Sequence, residues 1–291
     1  MYKAIASNKR KSIFLILIFI IVIAALAWAW SEYSGGSSAI VAAAIIFASI
    51  MSLVSFYAGD KVALSQSGAK EIEKKDNPYV WRMVENLSIT AGLPMPKVHI
   101  IDDKHMNAFA TGRDPEHASI AITTGLINNL ENEELEGVIA HELSHVKNYD
   151  IRLMMVVIIC IGVITLLSDW MLRSMFWGGK RSSSNNKGGG AMIVIGLILA
   201  ILSPLFAKLI QLAVSRKREF LADASGALLT RYPEGLAKAL EKISHQQAPL
   251  RRANKATAHL YFTNPFSAAK TKKLFSTHPP AVDRIQALRN M

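Results

Sequence analysis

The sequence predicts a membrane protein, mainly α, in which four transmembrane helices form two hairpins and a small mixed α+β domain is assembled from the hydrophilic segments that follow each hairpin. Three observations predict it. The 291 residues are 51% hydrophobic with a mean hydropathy of +0.25, too apolar for an ordinary soluble domain. The excess is gathered into four runs rather than spread along the chain. Between the second and third runs, short strand and turn signals lead into a helical segment that carries His141-Glu142-Leu143-Ser144-His145.

Residues 1–60 read as the first hairpin. Ile13 to Trp30 and Ala39 to Tyr57 carry no charge, and each is long enough to cross about 30 Å of hydrocarbon at about 1.5 Å per residue. Lys3, Lys9, Arg10 and Lys11 precede the first run as they would a secretory signal, but its apolar core is too long and no small-residue cleavage site follows, so it reads as an anchor. Residues 153–214 read as the second hairpin, with spans from Leu153 towards Leu172 and from Ala191 towards Val214 around a Gly/Ser/Asn-rich, flexible loop at 173–190. The loop from Ser31 to Ser38 carries only Glu32, whereas basic residues flank the N-terminal side of the first span and Lys61, Lys70, Lys74 and Lys75 follow the second. Both termini and the hydrophilic domain are therefore expected in the cytoplasm. Arg173, Lys180, Arg181 and Lys187 in the second loop pull against this topology, while Arg216-Lys217-Arg218 supports it.

The hydrophilic domain divides into residues 61–152 and 215–291. Asn77-Pro78 is a helix start and Gly92 a stop, with Val80, Met83, Val84, Leu87 and Ile89 as the expected buried stripe. Lys97 to Ile101, Asn107 to Thr111 and Ala118 to Thr123 read as strands, the last two joined through Gly112-Arg113-Asp114-Pro115. Glu133 to Ala140 has early acidic residues, no proline and apolar residues at helical intervals, and runs into the His141 motif.

On a helix, residues four apart share a face, so His141 and His145 can aim at one metal ion while Glu142 reaches a water beside it. A single zinc ion with an open position suits that set, and it needs a third ligand. Glu219 and Asp223, one helical turn apart, offer one: Glu219 on the metal, Asp223 accepting the remaining N–H of a ligand imidazole. The local residues allow equally that Arg216 and Lys217 neutralise this pair on a solvated face.

His141-Glu142-x-x-His145, a hydrophobic hairpin and Glu219-x-x-x-Asp223 together resemble the HtpX-like membrane zinc metalloproteases, a family that also contains the CAAX prenyl proteases. The resemblance extends to Pro94 to Ile101, Asn107 to Gly112 and His278-Pro279-Pro280. It implies a gluzincin-like domain with zinc on His141, His145 and Glu219, and Glu142 as the catalytic acid/base. It implies further that Asn107, Ala108, Phe109 and Ala110 form an exposed edge strand along which a substrate chain lies. It also implies that His278 and Arg284 steady the reacting carbonyl. The expected function is zinc-dependent peptide hydrolysis at the cytoplasmic membrane face, with misfolded or damaged membrane proteins as substrates. A prenyl-protein protease and a catalytically silent scaffold are the alternatives.

A net charge of +11 and a pI near 9.7 invite a nucleic-acid reading, but the basic residues are scattered or juxtamembrane, without an aromatic-interleaved patch. Membrane lipids with anionic headgroups are the simpler partner. Charges at Glu131 to Glu136 and Lys147 to Arg152 flank the motif, which argues against chemistry inside the bilayer, and the first two spans lack the ionisable residues of a metal transporter. The lone Cys160 has no disulfide partner and reads as packing, and His99, His105, His117, His245 and His259 show no metal spacing.

Overall fold

A run of β-branched and large apolar residues without proline makes the first helix, α1 (Tyr2–Ser34). In this computed structural model, which describes residues 2–34, 38–157, 160, 162–163, 216–246, 261–262 and 279–291, α1 buries one stripe: Asn8, Ser12, Leu15, Phe19 and Ile23. Ile13, Phe14, Leu17, Ile21 and Trp28 stay exposed on the other faces, as lipid-facing residues do. Ile5–Trp28 is long and apolar enough to cross a membrane. The second helix, α2 (Ser38–Ser67), packs along α1 and is built from Val41–Val54 and Phe56–Ser67 inclined at 64°. It continues past Tyr57, where the apolar run ends, because Ala63 and Leu64 are buried against Ile101, Phe109, Ala121, Met154 and Met155. α2 thus joins the hairpin directly to the hydrophilic domain. Of the second hairpin, Leu153 to Val157 are helical and buried, and Cys160 is buried as packing requires. The span from Ala191, the loop at 173–190, His259 and His278 lie outside the described residues.

The domain is built on a four-stranded sheet, β1 (Lys70–Glu71), β2 (Lys97–Ile101), β3 (Ala108–Gly112) and β4 (Ala118–Thr123), in the order β1-β2-β4-β3. β2 and β4 run parallel, with Val98 opposite Ile120, and β3 returns antiparallel to β4, with Ala110 opposite Ile120. The sheet is mixed, and β3 stands at its edge.

Helices cover the sheet. In α3 (Pro78–Ala91), the Asn77 side chain accepts from the Val80 N–H at 3.1 Å, and Gly92 ends the helix in the left-handed region at φ 67. Val80, Met83, Val84 and Leu87 face the core, but Ile89 is 73% exposed, contrary to the expected stripe. Two positions beyond Leu87 it is turned about 200° around the helix, so the inward places fall to Ser88 and Ala91. After the short α4 (Thr124–Asn129), the central helix α5 (Asn132–Lys147) opens with a capping box between Glu131 and Glu134. Against α5 pack α6 (Arg216–Thr230) and α7 (Pro233–Ser244), and α8 (Ala281–Arg289) closes on α7 and α6. Glycine sets the spacing: an added Cβ at Gly137 would stand 2.9 Å from the Leu236 nitrogen, and one at Gly226 would stand 3.0 Å from the His141 nitrogen.

Candidate metal centre

The α5–α6 contact brings the predicted residues together. His141 and His145 are 1% and 5% exposed, so two imidazoles sit in an interior where each polar atom needs a partner. Their Nε2 atoms lie 3.1 Å apart, with the rings at 88°. Glu219 enters from α6, its oxygens 3.8 Å from His141 Nε2 and 3.7 Å from His145 Nε2. Ligand atoms of His141, His145 and Glu219 all fall within 4.8 Å of one another. Two ligands at about 2.0–2.1 Å from a tetrahedral zinc stand about 3.3 Å apart, so the nitrogens are already near the required separation.

Both Nδ1 atoms point away from this focus, each at a carboxylate. His141 Nδ1 is 2.9 Å from Asp223 Oδ1, and His145 Nδ1 is 3.0 Å from Asp150 Oδ2. If each Nδ1 donates, each Nε2 presents its lone pair inward, the tautomer a metal needs. Asp223 is fully buried with Arg284, which donates to it through Nε at 2.8 Å and an Nη at 2.6 Å. Glu219 and Asp223 are thus compensated in the interior by Arg284 and the histidines, rather than on a solvated face by Arg216 and Lys217.

The electrostatics follow. Burial is the main reason the His141 pKa falls, to about 4, with Arg284 and His145 adding to the fall against the pull of Asp223. Burial opposes charge on His145 as well, but the Asp150 hydrogen bond with the charges of Glu219, Asp150 and Glu142 outweighs it and pushes His145 up to about 9. Burial would raise Asp223, yet Arg284 and His141 hold it down at about 2.

Glu142 is 2% exposed, and its carboxylate accepts the Ala110 N–H at 2.8 Å, which ties the α5 motif to the edge strand. β3 lies at the sheet edge as expected, but it is not bare: Asn107 and all five strand residues are buried. The reason is a covering segment, in which the Phe262 N–H donates to the Ala108 carbonyl at 2.8 Å and Tyr261 packs edge-on to Phe109 at 5.1 Å. The resemblance implied that Arg284 steadies a reacting carbonyl. Its guanidinium is 1% exposed, has two donors on Asp223, stands 3.8 Å from a Glu219 carboxylate oxygen and lies 4.9 Å over the Phe262 ring.

The sequence profile of Peptidase family M48 matches residues 74–291, three quarters of the chain and the whole of this centre. The chain belongs to peptidase family M48. Among curated M48-like relatives, the "Protease HtpX homolog" of Tropheryma whipplei (strain Twist) is 45% identical over 291 residues, covering 100% of this chain and 98% of the relative. Those of Dictyoglomus turgidum and Listeria monocytogenes serotype 4b (strain F2365) are 43% and 44% identical, each aligned over 100% of this chain and over 94% and 100% of the relative. Among solved structures, the crystal structure of S. mikatae Ste24p is similar in fold, with a TM-score of 0.51 and 17% identity over 99% of this chain and 67% of that one. Asp150 behind His145 and the Tyr261–Phe262 cover on β3 were missed by the sequence alone, because they depend on contacts that no local spacing signals.

Proposed function

We propose that this protein is a membrane-anchored zinc endopeptidase that hydrolyses extended polypeptide at the cytoplasmic face, with misfolded membrane proteins as its substrates. The carrying observation is the convergence of His141, His145 and Glu219, each histidine backed by a buried carboxylate. The donor set of two nitrogens and one oxygen, with a fourth position left open, suits catalytic zinc, one ion per chain. When bound, zinc lowers the pKa of a water to about 7 and polarises a carbonyl oxygen.

The chain's own groups supply the rest. With the site loaded, Glu142 would accept a proton from the attacking water as its oxygen adds to the scissile carbonyl carbon, and would pass that proton to the departing amine as the C–N bond breaks. Asp223 and Asp150 hold the imidazoles in register, and Arg284 keeps Asp223 ionised. A substrate strand paired with β3 would take over the Ala108 carbonyl from the Phe262 N–H and the Ala110 N–H from the Glu142 carboxylate, main-chain groups that recognise no particular side chain. Sequence-tolerant cleavage fits unfolded substrates. α2 packs on β3 and α1 on α2, so a membrane crossed by α1 would lie close to this edge, with anionic lipid as a partner of the basic flanks.

Glu142→Gln tests the reading. The variant should keep its fold and zinc while hydrolysis of an unfolded membrane protein falls by about a hundred- to ten-thousand-fold. Parent-like turnover by the variant would remove Glu142 from the chemistry, and a zinc-loaded parent without peptidase activity would leave a scaffold.

A further inference from the structure

The carboxylate behind His145 is itself held by the first membrane helix. α5 ends at Lys147, and the chain reverses through Asn148 and Tyr149, whose φ of 58 is unusual for a residue with a side chain. That turn swings Asp150, 1% exposed, back onto His145 Nδ1. Asn8 of α1, 3% exposed, places its amide nitrogen 2.7 Å from Asp150 Oδ1 and 3.0 Å from the Asn148 carbonyl. Both partners are acceptors, so only the NH2 side of the amide fits, and both of its hydrogens are engaged. The next residue reinforces the grip, with Lys9 Nζ 4.2 Å above the Tyr149 ring. Two consecutive residues of α1 thus clasp the one turn that aims Asp150. A polar side chain buried at the start of an apolar span is costly unless paired, and here the pairing is with the metal centre.

We propose that Asn8 is a positioning residue for His145, acting through Asp150, so that the membrane helix α1 completes the metal centre as well as anchoring it. This rests on the zinc reading above. Asn8 fixes one carboxylate oxygen of Asp150 and leaves the other in line with His145 Nδ1, which sets the direction of the Nε2 lone pair.

The test is zinc affinity of the full-length protein in lipid nanodiscs, by competition with a chromophoric chelator. Carboxylates in direct contact with a ligand histidine are worth about ten- to a hundredfold in metal affinity, and Asp150→Ala should lose that much. Asn8 acts one bond further out, so Asn8→Ala should weaken zinc about three- to tenfold. Asn8→Asp sets acceptors against both partners and should cost about as much as Asp150→Ala. The deciding comparison is Asn8→Ala in an Asp150→Ala background, where it should change affinity less than about twofold if Asp150 is the route. An equal loss in both backgrounds, no loss in either, or an equal loss from Ser12→Ala, four residues along the same buried face, would overturn the proposal. Asn8→Gln, which keeps both donors on a longer arm, covers the case in which Asn8→Ala does not fold. It should shift the visible bands of the cobalt-loaded protein, and unshifted bands with parent affinity would likewise overturn the proposal. A parent that takes up no zinc sinks the zinc reading along with it, whereas a zinc-binding parent with a background-independent Asn8 effect sinks this inference alone.

Discussion

At the residue scale the centre is a set of carboxylates doing different work from similar surroundings. Glu219 and Asp223 share a helix face and are both buried, but Glu219 stands on the Nε2 side of the histidines and Asp223 on the Nδ1 side. That difference predicts a ranking. Asp223→Ala removes an orienting hydrogen bond and should weaken zinc about ten- to a hundredfold, while Glu219→Ala removes the proposed third ligand and should weaken it more, as metal titration of each purified variant would read. Equal, parent-like zinc content in both would show that the third ligand lies elsewhere. Much of this was legible in the sequence, because four-residue spacing on a helix is a geometric statement: His141 with His145, and Glu219 with Asp223, needed only α5 and α6 to form. Asp150 was not legible as the partner of His145, since five positions on it lies beyond a turn whose direction depends on the left-handed Tyr149. Asn8 was still less so, standing 142 positions from its carboxylate partner.

At the scale of elements, the strands and helices with strong local signals lie where the pattern puts them. β2 and β4 keep their expected bounds, and α3 sits between its asparagine cap and its glycine stop. β1 escaped notice because it is two charged, exposed residues that join the sheet through backbone pairing alone. The distance between α5 and its neighbours rests on glycine, so Gly137→Ala must push α7 away or bend α5. A cost of about 1–3 kcal/mol is expected in thermal or denaturant unfolding. Gly226→Ala presses on the His141 backbone and should lower zinc affinity as well as stability. A parent-like melting temperature for Gly137→Ala would mean that α5 and α7 are less closely held.

The sheet side also carries two buried histidines, His99 and His105, whose pKa values burial lowers from 6.5. The unfolded chain then binds more protons than the folded one as pH falls below 6.5, so stability should drop in that range and be retained above it. Replacing both by glutamine should flatten that part of the melting-temperature profile, and an unaltered slope would show that these histidines protonate in the fold without penalty.

At the scale of the whole molecule, the membrane and the metal centre constrain each other. α5 delivers His145 and α6 delivers Glu219 to one point, so the described chain that precedes residue 157 and the chain that resumes at residue 216 flank a single centre. Asn8 and Lys9 of α1 touch the turn at 148–150, and Lys3, Arg10 and Lys11 at the same end of α1 are the charges on which the proposed cytoplasmic placement rests. The last turns of α2 are buried in the same domain. Apolar content and flanking charge made the hairpins legible as candidates, but Arg173, Lys180, Arg181 and Lys187 in the second loop pull against the expected topology, so flanking charge alone does not decide it. With Cys160 replaced by alanine, Ser184→Cys should react with a membrane-impermeant thiol reagent from outside intact cells. Ser65→Cys, exposed on α2 near the domain, should react only after the membrane is opened. Labelling of Ser65→Cys from outside would place the metal centre on the opposite face, and protection of both would mean a second hairpin that enters the bilayer and returns without crossing it.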